Sequence, residues 1–238
     1  MRIELFLGEE KNERSDHEDT LRHKGLRKNL IDIIREKGIT DESVLRAMME
    51  VPRHFFFDLE FENIAYEDRA FPIAANQTIS QPYTVAFQTQ LLKIKKYDKV
   101  LEVGTGSVYQ ATILAEIGAT VFTIERQKEL YTKAKNYVFK NKYKESRLKF
   151  FYGDGFEGLP KFAPFDKIII TCGAPFIPPK LIDQLKPGGI MVIPLAEDEH
   201  HKMYRITKNE DGSYVEEEFN NFSFVPMLPG TEPDKTAV

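Results

Sequence analysis

Leu26, Leu30 and Ile34 recur at four-residue spacing, with Ile31 and Ile33 beside them, and the run stops near Gly38. That period is one face of an amphipathic helix. Asp41 is placed to cap a second helix, whose apolar positions are Val44, Leu45, Met48 and Met49 and which Pro52 stops. The pattern predicts a helical hairpin over 20–52. It then lapses. "HFFFDLEFENIAYEDRAFPIAANQTISQPY" has scattered aromatics, two prolines and no period, with Phe55, Phe56 and Phe61 as candidate core pegs. An irregular stretch of that length inside a compact domain is often functional. From residue 83 the pattern is regular again. "TVAFQTQLL" reads as a helix, and then β-like runs ("KVLEV", "TVFTIE", "LKFFYG", "FDKIIIT", "GGIMVIPL") alternate with helical ones ("YQATILAEIG", "QKELYTKAKNYVFKN", "PPKLIDQL"). Alternation of this kind predicts a parallel sheet with helices on both faces. "MYRITKN" and "SYVEEEFNNFSFVPM", joined by "EDGS", predict an antiparallel hairpin at its end.

Composition narrows the function classes. The formal charge of -4 over 238 residues gives no general pull toward nucleic acid, and a solvated helix face accounts for the lysines between 133 and 149. No apolar run approaches a membrane span. Cys172 is the only cysteine, so no intrachain disulfide can form and a reducing, cytoplasmic setting is expected. "MRIELFLGEEKNER" lacks the basic start and cleavage site of a signal peptide, and residues 1–20 are expected to be loose. No His, Cys and Asp cluster has metal-ligand spacing, so no metal is expected.

Ligands of parallel α/β sheets bind beyond the carboxyl ends of the strands. Four such ends carry polar or glycine-rich sequence: "EVGTGSVYQ", Glu125 ending "TVFTIE", "GDG" at 153–155, and "TCGAP". Glu125 stands about 20 residues beyond the glycine loop, the separation at which an acidic side chain accepts ribose hydroxyls. The dinucleotide fingerprint requires a third glycine at position 109, where the chain has Tyr109. Glu102, Gly104 and Gly106 instead make E-x-G-x-G, the S-adenosylmethionine pattern. Each residue also has a structural reading: Glu102 bonding loop amides, Glu125 a solvated strand end, Asp154 opening a turn.

On "AYEDRAFPI", "QTISQPYTVA", "LEVGTGS-YQ", "TIER", "GDGFEG", "APFDKIIIT" and "PPKLIDQLKPGG", the chain resembles the protein-L-isoaspartate (D-aspartate) O-methyltransferases. The resemblance implies an α/β, Rossmann-like class I methyltransferase fold. Its sheet has seven mostly parallel strands and an antiparallel C-terminal strand. Residues 21–82 are then a helical extension and peptide-groove segment, and residues 83–238 the catalytic domain. It implies methyl transfer from S-adenosylmethionine to the α-carboxylate of isoaspartyl residues in damaged proteins, followed by a succinimide that reopens in part to aspartate. S-Adenosylhomocysteine is then the product. Isoaspartyl peptides and proteins are the partners, and a monomer is expected. Glu102, Gly104, Thr105, Gly106, Ser107, Glu125, Arg126, Asp154, Gly155 and Thr171 are expected to face the cofactor. Thr78, Ile79, Ser80 and Val225 are expected to face the peptide, with Ser80 orienting the carboxylate. An N-cap for the following helix is the competing role for Ser80. An ionised carboxylate is already a nucleophile, so alignment rather than a strong base is required.

Two stretches depart from the family. Val108 stands where a third glycine is usual, and Ala74, Ala75 and Asn76 precede "QTIS" where glycine and histidine are frequent. Val108 is expected in the first helical turn, its methyls crowding the methionine end of the cofactor site. The second reading that follows is a methyltransferase-fold protein that binds cofactor or peptide weakly and serves as a binding module.

Overall fold

The structure, a computed structural model, describes residues 18–136, 142, 147–197 and 200–233. The segment expected to be loose therefore lies almost wholly outside the described residues. Helix α1 (Leu21–Glu36) begins where the Thr20 hydroxyl accepts the His23 N–H, and it buries Leu30, Ile31 and Ile34. Helix α2 (Glu42–Glu50) begins at Asp41, whose carboxylate accepts the N–H groups of Ser43 and Val44. Both caps satisfy amides that have no partner inside the helix.

The aperiodic stretch is locally ordered. It holds short 3₁₀ turns at Arg53–Phe56, Leu59–Ile64 and Ala74–Asn76, and a two-residue ladder of β1 (Phe71–Pro72) against β2 (Thr78–Ile79). Phe56 and Phe57 pack on the core formed by α1 and α2, whereas Phe61 is 45% exposed and is not a core peg.

The remaining elements are α3 (Pro82–Leu92), β3 (Lys99–Val103), α4 (Tyr109–Ile117), β4 (Thr120–Glu125), α5 (Lys128–Ala134), β5 (Leu148–Tyr152), β6 (Phe165–Ile170), α6 (Pro179–Gln184), β7 (Leu185–Glu197), β8 (His200–Lys208) and β9 (Tyr214–Phe222). The expected helix over 127–141 is described only to its first turns; residues 137–141 lie outside the described set. The sheet order is β5-β4-β3-β6-β7-β8-β9. Pairings are parallel from β5 through β7 and antiparallel at β7–β8 and β8–β9, the antiparallel end that the hairpin signal predicts. Successive side chains of a strand face opposite layers. Leu101 and Val103 pack with Ile168 and Ile170 on one side, and Val100 packs with Leu92, Leu114 and Val192 on the other. The chain leaves β3 toward β4 and β5, then returns to the far side of β3 as β6. That reversal opens a crevice beyond β3 and β6, where ligands of such sheets bind.

Candidate active site

The crevice is walled by the loop after β3, the ends of β4 and β6, the β2 segment and the chain at 225–228. The loop turns sharply because two glycines accept left-handed backbone, Gly104 at φ 99° and Gly106 at φ 51°. At Gly104 space is decisive as well: a Cβ there would lie 2.5 Å from the Thr171 hydroxyl oxygen. That hydroxyl donates to the Gly104 carbonyl at 2.7 Å, fastening the loop to the end of β6. Gly155 lines the crevice too, and a Cβ there would meet the Val103 side chain at 2.5 Å, so only glycine packs this closely against β3.

Glu125 is 5% exposed and lies on the wall. One carboxylate oxygen accepts the Gly106 N–H at 3.0 Å and the other the Gln127 N–H at 2.8 Å. Burial raises its pKa, and the amides around it, together with Arg126, oppose the rise. An anchored carboxylate with acceptor capacity left on each oxygen suits a ribose diol. Thr105 and Ser107 also line the crevice; the Thr105 hydroxyl pairs with that of Thr123 at 2.7 Å. Arg126 lines it too, but its guanidinium donates to the carbonyls of Pro229 and Gly230, holding the C-terminal segment along the rim.

Two expected cofactor contacts are absent from the wall. Glu102 shares its face of β3 with Val100, is fully buried and does not line the crevice. Neither of its oxygens meets a hydrogen-bond donor at bonding geometry among the described residues. Burial pushes its pKa up to about 8; the nearby Thr123 hydroxyl opposes that and the Glu125 charge adds to it. Asp154 caps its own turn by accepting the Phe156 N–H at 2.8 Å, and it ties down the C-terminal segment through the Gly230 N–H at 2.6 Å. Asp154 thus opens its turn, while Glu102 bonds none of the loop amides.

Val108 is a further correction. It is the N-cap of α4 at φ 73°, ψ -3°, not a residue of the first helical turn. Its side chain is 3% exposed and faces a separate cavity with Phe56, Ile73, Leu130 and Ala134, so it does not crowd the crevice. A β-branched residue is strained in that backbone region.

On the peptide side, Thr78, Ile79, Ser80 and Val225 all reach the crevice. Thr78 and Ser80 also line a second cavity, walled by Tyr83, His200, Asn220, Asn221 and Phe224, so they stand where the two meet. Ser80 is not the cap of α3: Gln81 is the N-cap without a side-chain bond, and Asp68 takes the Tyr83 N–H at 2.8 Å. The Val225 segment is docked strand-like on Gly173, whose N–H donates to the Val225 carbonyl at 2.8 Å and whose carbonyl accepts the Met227 N–H at 2.7 Å. Pattern reading missed Gln77, Val85, Tyr109, Gln110 and Met227, which also line the crevice. Their signal was present only as apolar or amide residues beside recognised motifs. Cys172 lines the crevice as a half-buried thiol whose pKa desolvation pushes up to about 12, which leaves it un-ionised at neutral pH.

Comparison with known proteins gives a consistent family. The model of the protein-L-isoaspartate(D-aspartate) O-methyltransferases matches residues 25–232. A protein-L-isoaspartate O-methyltransferase of Christiangramia forsetii is 53% identical over 210 residues, covering 88% of this chain and 97% of its own. A solved protein-L-isoaspartate O-methyltransferase superposes with a TM-score of 0.73 at 25% identity, over 84% of this chain and 65% of that one. A candidate protein of the same kind from Plasmodium falciparum, solved with S-adenosyl-L-homocysteine, gives a TM-score of 0.74 at 24% identity, over 85% of this chain and 98% of its own.

Proposed function

The chain belongs to the protein-L-isoaspartate(D-aspartate) O-methyltransferase family, and from that premise we propose how its residues divide the work. The enzyme transfers a methyl group from S-adenosylmethionine to isoaspartyl residues of proteins. Residues 21–82 supply most of the peptide side of the site, and residues 83–238 supply the cofactor side together with the Val225 segment of the peptide side. When bound, the cofactor supplies an electrophilic methyl group on a sulfonium. The crevice fits it: Gly104 and Gly155 leave room for close backbone approach, and Glu125 offers acceptors at the position suited to ribose hydroxyls. Thr105, Gly106, Ser107, Arg126 and Thr171 complete that wall.

The observation that carries the acceptor side is the placement of Ser80 at the junction of the two cavities, free of the capping role. Its hydroxyl donates to the acceptor carboxylate and turns one oxygen toward the methyl. No base is required, because the acceptor is ionised before it binds. Val225, fixed by Gly173, and the β2 backbone at Thr78 and Ile79 grip the peptide main chain, a mode that tolerates many neighbouring side chains. The reading extends to a monomer working in the cytoplasm, consistent with a single cysteine, and on proteins rather than nucleic acid or membranes.

Ser80→Ala tests this division. Turnover of an isoaspartyl peptide should fall by about 10- to 100-fold, the loss of one hydrogen bond to a charged group, while calorimetric affinity for S-adenosylhomocysteine stays within about twofold. Unchanged turnover would remove Ser80 from the mechanism.

A further inference from the structure

Behind Ser80, away from the crevice, lies a charge that the reaction as described does not use. Arg53 is 1% exposed. Its Nε donates to the Ala65 carbonyl at 3.0 Å and its Nη2 to the Ser80 carbonyl at 2.7 Å, while Nη1 has no acceptor. The guanidinium lies 4.7 Å from the ring centroid of Tyr109, the first residue of α4, and 5.4 Å from that of Phe57. Two carbonyls and two rings surround it, and the Tyr109 hydroxyl and the Asp68 charge also favour its charged form; among the described residues no carboxylate is ion-paired with it. A cation buried without a counter-ion is costly to keep. Burial draws its pKa down only to about 10, so it remains charged at neutral pH. An aliphatic side chain would fill the volume without that cost. The fork instead ties the carbonyl of the acceptor-side serine to that of Ala65, and its position at the Tyr109 ring sets both against the helix that opens at the cofactor loop.

We propose that Arg53 is a positioning residue for methyl transfer: its fork fixes the Ser80 backbone relative to α4, and its unpaired charge favours an anionic acceptor over a neutral one. This rests on the role of Ser80 given above. The two contributions separate kinetically. The acceptor carboxylate loses its charge on the way to the transition state, so a fixed cation strengthens acceptor binding more than it speeds the chemistry. Geometry held by the fork acts on turnover.

The test compares the wild-type enzyme with Arg53→Lys, which keeps the charge and loses the fork, and Arg53→Met, which loses both. An isoaspartyl peptide is the acceptor, and S-adenosylhomocysteine affinity is measured by calorimetry in parallel. Arg53→Lys should lower kcat about tenfold with KM for the peptide within about twofold. Arg53→Met should lower kcat similarly and raise KM about tenfold. Both should bind S-adenosylhomocysteine within about threefold of wild type. Wild-type kinetics in both variants would overturn the proposal. So would a loss of S-adenosylhomocysteine binding in step with turnover, which marks a purely structural role. If Arg53→Met does not fold, Arg53→Lys decides by the same criteria. An inactive wild-type enzyme would instead remove the functional reading beneath the proposal, a separate result.

Discussion

Replacing Val108 by glycine and, separately, by alanine turns the backbone at the start of α4 into a difference of sign. At φ 73° any residue with a Cβ pays about 1–2 kcal/mol, and glycine does not. Trimming the buried valine to alanine deletes two methyls, about 0.8 kcal/mol each, and leaves the backbone strain in place. Trimming it to glycine deletes one carbon more and releases the strain. Glycine should therefore be the more stable of the two by up to about 1 kcal/mol, or up to about 4 °C in melting temperature for a chain of this size. In a helical conformation the order reverses, because glycine then costs about 0.5–1 kcal/mol relative to alanine. Thermal melts of the two variants read the sign directly. The side chain faces Phe56 and Leu130 rather than the crevice, so S-adenosylhomocysteine affinity measured by calorimetry should stay within about twofold in both. Alanine more stable than glycine would refute the left-handed assignment. A tenfold gain in affinity on Val108→Gly would restore the crowding idea.

Glu102 gives a pH signature. Its pKa is raised on folding from 4.5 to about 8, so the folded state holds a proton that the unfolded state has released. The stabilisation is fully present below pH 4.5 and is lost as pH rises toward 8, by up to about 1.4 kcal/mol per unit. The stability of wild type minus Glu102→Gln should fall across that window and level off above it; a flat difference contradicts the assignment. Glu125→Gln keeps the shape but exchanges one acceptor oxygen for a donor facing a backbone N–H. Cofactor affinity should drop at least about tenfold, the value of a hydrogen bond to a charged group, and an unchanged dissociation constant would take Glu125 off the ribose.

The sheet was legible because strand and helix periods differ and each run kept its own. The glycine loop and Glu125 were legible because a strand followed by a tight turn leaves few residue types that fit. The place of Glu102 on the face of Val100 was legible from period-two alternation. Asp154 was not. Its partner, the Gly230 amide, lies far along the chain, and no local pattern encodes that contact. The same holds for Arg53 on Ser80 and for Asp68 at the start of α3. Val108 misled for a different reason. Glycine is the signal for left-handed backbone, and here the conformation persists without it, held by packing of the side chain in the core under α4.

Selective methylation of an isoaspartyl peptide tests the central claim most directly. The wild-type enzyme is incubated with methyl-labelled S-adenosylmethionine and either an isoaspartyl peptide or its aspartyl twin, and base-labile label is counted. The account predicts ester label on the isoaspartyl peptide and none above background on the twin. No label on either peptide, or equal label on both, would contradict it.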